Sequence, residues 1–185
     1  MKQRFPRILG FGVFFLCMVI GMGIVVLMQT TYSESQLQQA GQEYLVQLGK
    51  EYEDCSLKQK RWYNDQLFCL YEDGKYPFVI GFSKNDWFPD RFSPFCFCYP
   101  TEQAGDGVLY DFAKKGKGCY TYVVFGPRPK GIHEIEVDVL DKAENCKGQY
   151  HNRVDPEEEY ILYVLQKYEK DPIFLSTHYI VSFSG

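Results

Sequence analysis

VDPEEEYILYVLQKYEKDP, residues 154–172, is the stretch on which the fold class turns. Asp155 stands where a helix N-cap is wanted, and Pro156 takes the first helical position. Glu157, Glu158 and Glu159 suit the positive end of a helix dipole, and Lys167 and Lys170 suit the negative end. Tyr160, Ile161, Val164, Leu165 and Tyr168 recur at helical spacing, and Pro172 closes the run. The pattern predicts a helix. IFLSTHYIVSF, residues 173–183, then reads as a last strand, paired inside the main sheet.

The segments before it supply strands. QLFCLY (66–71) and YPFVIGF (76–82) flank EDGK and read as a hairpin, with Pro77 marking an edge or a late strand start. CYTYVVF (119–125) and IHEIEVDVL (132–140) flank GPRPKG and read as a second hairpin. In the latter strand Ile135, Val137 and Val139 alternate with Glu134, Glu136 and Asp138, which predicts one buried face and one wet face. GVLYDFAKKGKG (107–118) fits a turn of helix or a short strand. SESQLQQAGQEYLVQLGKEYEDC (33–55) carries an apolar stripe at Leu37, Tyr44, Leu45, Leu48 and Tyr52, with Ser33 or Ser35 as cap.

The N-terminus sets the compartment. MKQRFPR holds Lys2, Arg4 and Arg7. Residues 8–28, ILGFGVFFLCMVIGMGIVVLM, contain no charged side chain. A helix of that length is roughly 30 Å long, the thickness of a bilayer's hydrocarbon core. It exceeds a secretory h-region, and no Ala-x-Ala site follows, so the sequence predicts a retained single-pass anchor rather than a cleaved signal. The basic tail places the N-terminus in the cytoplasm and the rest outside it, in a periplasm, lumen or cell exterior. Three of the 20 Lys and Arg lie in the tail, leaving 17 against 24 acids, a formal charge of −7 on the outer part. That balance speaks against nucleic acid as a partner.

The expected organisation is therefore a basic tail (1–7), a transmembrane helix (8–28), an amphipathic helix and linker (29–54) and a domain from 55 to 185. The expected fold class is α+β, a small, mostly antiparallel sheet with flanking helices, stapled by disulfides. Cys17 lies in the span, and the six others are Cys55, Cys69, Cys96, Cys98, Cys119 and Cys146. An even number outside the cytosol reads as up to three bridges, with about 15 possible connectivities. Cys119 with Cys146 is the preferred pair, because the GPRPKG hairpin would bring their strand ends together.

SPFCFCYP (93–100) places Cys96 and Cys98 on one face of an extended segment. Zinc needs two more ligands, and His133, His151 and His178 lack ligand spacing. A redox pair needs Cys-x-x-Cys. Each of the two cysteines is instead expected to reach a separate partner. Glu134, Glu136 and Asp138 read as a solvated face rather than a calcium loop. No cofactor or metal pattern and no nucleophile motif stands out. The aromatic, Pro-punctuated stretch around Trp87, Phe88, Arg91, Phe92 and Phe95 carries residue types that anchor interfaces; the rings fit the core of a small disulfide-tied domain better, and a contiguous exposed patch there is the expected surface if the stretch binds a partner.

The start of the chain also resembles a type IV pilin or pseudopilin: a short basic leader ending at Gly10, then Phe11, a long apolar helix, an amphipathic extension and a disulfide-bearing head. That pattern wants Glu at the fifth position after the leader, where this chain has Phe15. The resemblance implies an envelope-assembly subunit. The residues themselves favour a membrane-anchored, extracytoplasmic binding or assembly protein, an accessory subunit of a membrane or envelope complex with a protein partner. An anchored inhibitor or immunity-type protein and an enzyme without a visible motif are the other readings. Nothing in the sequence points to a small-molecule ligand.

Overall fold

A computed structural model describes residues 5–51, 54–86, 88–100, 109–116, 119–140, 145–168 and 174–181; of these, the side chains of 5–14, 27–29, 112–116, 119, 168 and 174–181 are not described. The decisive stretch is a strand. β10, Tyr160–Tyr168, runs antiparallel along the whole of β7, Cys119–Pro127, with Tyr160 opposite Pro127 and Tyr168 opposite Cys119. Ile161 and Leu165 enter one core, while Leu162 and Val164 enter another on the opposite face. A strand buried on both faces is apolar at consecutive positions, so its run also satisfies a helical stripe. The apparent cap is a turn. Asp155 Oδ1 accepts from the Glu157 N–H at 2.9 Å, and the Asp155 carbonyl accepts from Glu158 N–H at 3.1 Å. An Asp carboxylate bonding a backbone N–H two residues on serves a turn as well as a helix start.

The expected α+β class with flanking helices is thereby corrected to antiparallel sheets and one helix packed on them. Sheet A has five strands in the order β1-β5-β4-β3-β2, comprising Tyr32–Ser33, Arg91–Cys98, Pro77–Lys84, Gln66–Glu72 and Ser56–Tyr63. Sheet B orders β10-β7-β6, with β6 at Tyr110–Gly116. Sheet C orders β11-β8-β9, from Phe174–Val181, Ile132–Leu140 and Cys146–Arg153. The first expected hairpin forms as β3–β4 around Asp73, whose Oδ1 accepts from Lys75 N–H and Tyr76 N–H, and β4 begins at Pro77. The second does not form. β7 pairs with β6 and β10, and β8 pairs with β9 and β11, so GPRPKG carries the chain from one sheet to another. The last strand accordingly sits at an edge of sheet C.

Three cores stack the layers. Helix α2, Leu37–Gln47, lays Leu37, Ala40 and Leu45 on one face of sheet A, against Leu67, Tyr71, Phe78, Ile80 and Phe82. On the other face Phe68, Leu70, Val79 and Cys96 meet Val123, Phe125, Leu162 and Val164 of sheet B. The far side of sheet B, with Tyr122, Val124, Ile161 and Leu165, meets Ile135, Val137 and Val139 of β8. The expected alternation in β8 is present, with Glu134, Glu136 and Asp138 on the opposite face from those three. α2 is fixed at its start. Tyr71 donates its hydroxyl to the Leu37 carbonyl, and Gln38 both donates to the Cys55 carbonyl and accepts from Leu57 N–H. Gly41 lets α2 come close, since a Cβ there would lie 2.5 Å from Tyr71 Cδ1.

The single-pass anchor is corrected too. Helix α1 spans Phe5–Thr30, but among the described residues no helix is long and apolar enough to cross a membrane. The localisation built on the anchor, cytoplasmic N-terminus and extracytoplasmic domain, loses its support with it. The disulfide framework fails as well: no bridge forms among the described cysteines, and Cys55, Cys69 and Cys146 are thiols. The layers explain this. Cys55 and Cys69 lie on the α2 side of sheet A, while Cys96 and Cys98 lie on the sheet B side. Cys146 is exposed at the start of β9 in sheet C, so the preferred bridge from Cys119 to Cys146 is absent; the Cys119 side chain lies outside the described residues.

Candidate functional site

β5 is the strand that builds a surface feature. SPFCFC pairs with β4, but its register shifts after Gly81↔Cys96, so that Phe82 faces Pro94 and one residue, Phe95, is left over. Such a bulge changes which residues share a face. Before it, Phe92 points toward α2; Phe95, Cys96 and Cys98 pack toward sheet B; Phe97 and Tyr99 return to the α2 side. The expectation that Cys96 and Cys98 share a face holds. Gly81 makes room for them, because a Cβ there would sit 2.4 Å from Cys96 Sγ and 2.9 Å from Phe95 Cζ.

On the α2 side Phe97 meets Tyr44. The rings stack with centroids 4.2 Å apart and planes 7° from parallel, yet Phe97 stays 43 % exposed. Hollows open on both sides of this stack. One, about 260 Å³, is lined by Thr30, Tyr32, Ala40, Gln47, Phe82 and Pro94 as well as the two rings. The other, about 570 Å³, adds Leu48, Lys50, Cys98, Tyr99 and Pro100. Together they form a groove between the C-terminal half of α2 and β5. Lys50 caps its far end, with Nζ 4.3 Å from the centroid of the Tyr99 ring. The Tyr99 hydroxyl donates to Asp73, and Tyr99 also packs edge-on to Tyr76. Burial pushes the Tyr44 hydroxyl's pKa up, because it disfavours the anion, and nearby Cys98 adds to this.

The residues expected to bind a partner are spread over different surroundings. Trp87 lies outside the described residues. Phe88 is exposed in the β4–β5 connection, with its N–H bonded to Asn85 Oδ1. Phe92 is buried in the core beneath α2 and touches Trp62. Phe95 packs edge-on to Phe68 on the opposite face of the sheet. Arg91 works as a clamp: its guanidinium donates to the Thr31 hydroxyl and carbonyl and to Gln36 Oε1, fastening the chain after α1 to the start of β5. The residues that line the groove come from four stretches of chain, 30–32, 40–50, 80–82 and 94–100. The alternation of Phe97 with Cys96 and Cys98 signals a ring on the face opposite the thiols, but nothing local in sequence places Tyr44 beneath it.

Elsewhere the chemistry is quiet. The buried thiols are inert: Cys55 is pushed up to about 11 and Cys69 to about 12 chiefly by desolvation, and Cys98 to about 12 by desolvation, with Cys96 next in importance. On the outer face of sheet C, His151 Nδ1 lies 2.9 Å from Glu134 Oε1 and 3.5 Å from Glu136 Oε2. Among the described residues no group of three His, Cys, Asp or Glu side chains is placed to hold a metal ion. No known protein family, no curated protein and no solved structure matches this chain.

Proposed function

We propose that the chain is a protein-binding module that receives an exposed segment of a partner in the groove between α2 and β5. The observation that carries this reading is the half-exposed Tyr44–Phe97 stack set between two hollows. Aromatic rings that keep contact area open on a rigid frame are the commonest anchors of protein interfaces, since they gain much buried area at little cost in side-chain freedom. The frame here is rigid in the physical sense. Tyr44 projects from a helix pinned by Gln38 and Tyr71, and Phe97 from a strand paired to β4. Exposed Leu48, just past the end of α2, continues the apolar surface.

A peptide-display selection on the full chain, with counter-selection on Phe97→Ala, tests this directly. Peptides should be enriched that bind the wild type and lose it on the variant. They should also shift the amide resonances of residues 44–50 and 94–100. Enrichment that ignores Phe97, or shifts confined to other faces, would overturn the proposal.

A further inference from the structure

The smaller hollow has a wall that the larger one lacks. Thr30, the last residue of α1, and Tyr32 stand there, on the stretch that joins α1 to sheet A. That stretch has little ladder of its own. β1 is two residues long and meets β5 at Tyr32↔Phe92 and Ser33↔Arg91. So short a ladder contributes little by itself, and side chains must hold the wall. Tyr32 donates its hydroxyl to Glu43 Oε2 at 2.7 Å and sets its ring edge-on to Phe82, with centroids 6.0 Å apart. Those contacts secure the ring. The backbone is held by Arg91. Its Nε donates to the hydroxyl of buried Thr31 at 2.9 Å, one terminal nitrogen donates to the Thr31 carbonyl, and the other donates to Gln36 Oε1 at 3.2 Å. Gln36 Oε1 also accepts from the Ser33 N–H at 3.0 Å. One guanidinium thus fastens the residues on both sides of Tyr32. A rigid fork of donors suits three acceptors at once, which the compact ammonium of a lysine does not. Arg91 lines neither hollow, and the larger one is built from 44–50 and 97–100 without the clamped stretch.

Resting on the reading of the groove as a partner-binding site, we infer that Arg91 is a positioning residue for it: its clamp on Thr31 and Gln36 sets where the 30–32 wall stands, and so shapes the smaller hollow but not the larger. A binding surface keeps its shape only when the residues behind it are themselves fixed by hydrogen bonds. Here a single side chain on β5 supplies that support for one end of the groove, while α2 and β5 supply it for the other.

The test titrates indole, a flat apolar probe, into the full-length chain and follows amide resonances. Those of Thr30, Tyr32 and Phe82 report the smaller hollow, and those of Leu48, Lys50 and Tyr99 the larger. Indole should bind in both. Arg91→Ala should weaken binding in the smaller hollow roughly fivefold or more and leave the larger unchanged. Thr31→Val removes one acceptor of the clamp and keeps the charge, so it should give a milder loss, about two- to fivefold, in the smaller hollow alone. An arginine that only stabilised the fold would lower the urea midpoint and leave the two hollows alike. Should Arg91→Ala fail to fold, Thr31→Val decides. Affinities unchanged in the smaller hollow, a loss shared equally by both hollows, or indole that never enters the smaller hollow of the wild type would each overturn the inference. In all three cases Phe97-dependent peptides from the display selection still uphold the groove as a partner site. Their absence removes the partner reading, whatever indole and Arg91 show.

Discussion

The two faces of sheet A are covered in different ways. One meets sheet B, and there Phe68, Leu70 and Val79 interlock with Val123, Phe125, Leu162 and Val164, nearly all of them wholly out of solvent. The other meets a single helix. Strands about 4.8 Å apart make β2 through β5 a surface roughly 15 Å across between outer axes, and one helix is about 10 Å wide. Eleven residues of α2 cannot seal such a face. The remainder is left open along β5, where Phe97 is exposed and the groove lies. A sheet on a sheet makes a core, whereas a helix on a sheet makes a core with a margin, and the binding surface is that margin.

The largest test of this contrast strikes the sealed face. Phe125→Ala removes a ring with no exposure from between two sheets that cannot collapse onto the gap. It should cost about 3–5 kcal/mol, measured by urea unfolding of the full chain. A loss below about 1 kcal/mol would mean that sheets A and B are not tightly packed. Next comes the approach of α2. Gly41→Ala sets a methyl 2.5 Å from Tyr71 Cδ1 and 3.1 Å from Cys55 Sγ, so the helix must lift or the ring must turn. The expected cost is about 1–3 kcal/mol, partly offset by alanine's better helix propensity. The groove should widen, so peptide binding should change along with stability. Gly81→Ala, which crowds the other face, should destabilise without touching the groove.

The sequence made some of this legible and hid the rest for definite reasons. α2 could be read in part, because Leu37 and Leu45 recur on one buried face; Leu48, expected on the same stripe, lies past the end of the helix and is exposed. β8 could be read because one face is acidic and the other aliphatic. β10 could not, because burial on both faces erases the alternation that marks a strand, and the Asp-Pro-Glu signal at 155–157 belongs to turns and helix starts alike. β2, SLKQKRWY, and β9, CKGQYHNR, were missed because half-exposed strands carry little apolar pattern. GPRPKG looked like a hairpin loop, but turn chemistry does not say whether the strands it joins will pair or part into separate layers. Cysteine parity suggested bridges, yet pairing depends on which face each thiol occupies, and the faces of sheet A keep Cys69 from Cys96. The groove joins residues near 44 and 97, a long-range contact that no local pattern encodes.

The α2-facing core also holds two buried thiols, and these give it an alkaline signature. Desolvation raises Cys55 to about 11 and Cys69 to about 12, above an ordinary thiol near 9. The sign follows from proton binding. Above pH 9 the unfolded chain has released these protons and the folded chain still holds them, so stability falls as pH rises. It should be level below about pH 8.5 and decline from pH 9 until the folded pKa values are passed. By pH 10 the Cys69 thiol alone accounts for a loss on the order of 1 kcal/mol. Tyr71, raised still more strongly by burial, adds in the same direction. Urea midpoints at pH 8 and pH 10 check this, and Cys69→Ala should flatten the difference. A stability that holds level to pH 10 in the wild type would mean that the thiols are not buried under α2.

The smallest effect is expected at the margin itself, and it separates a binding surface from a core. Phe97 loses only part of its area to the fold and makes its closest contact with Tyr44. Phe97→Ala forfeits that stack and little else, so the loss of stability should be near the worth of an aromatic pair, about 0.5–1.5 kcal/mol. Tyr44→Ala should cost somewhat more, since Tyr44 also touches Phe78 beneath it. A double-mutant cycle isolates the shared term. Its coupling should fall within the same range, with the rest of each single-mutant loss additive. The two faces then differ by several-fold in what one phenylalanine contributes, with the cheap ring being the one that binding requires. Should Phe97→Ala unfold the chain as readily as Phe125→Ala does, the ring is core, the margin is closed in solution, and a partner would have no aromatic anchor to find on this face.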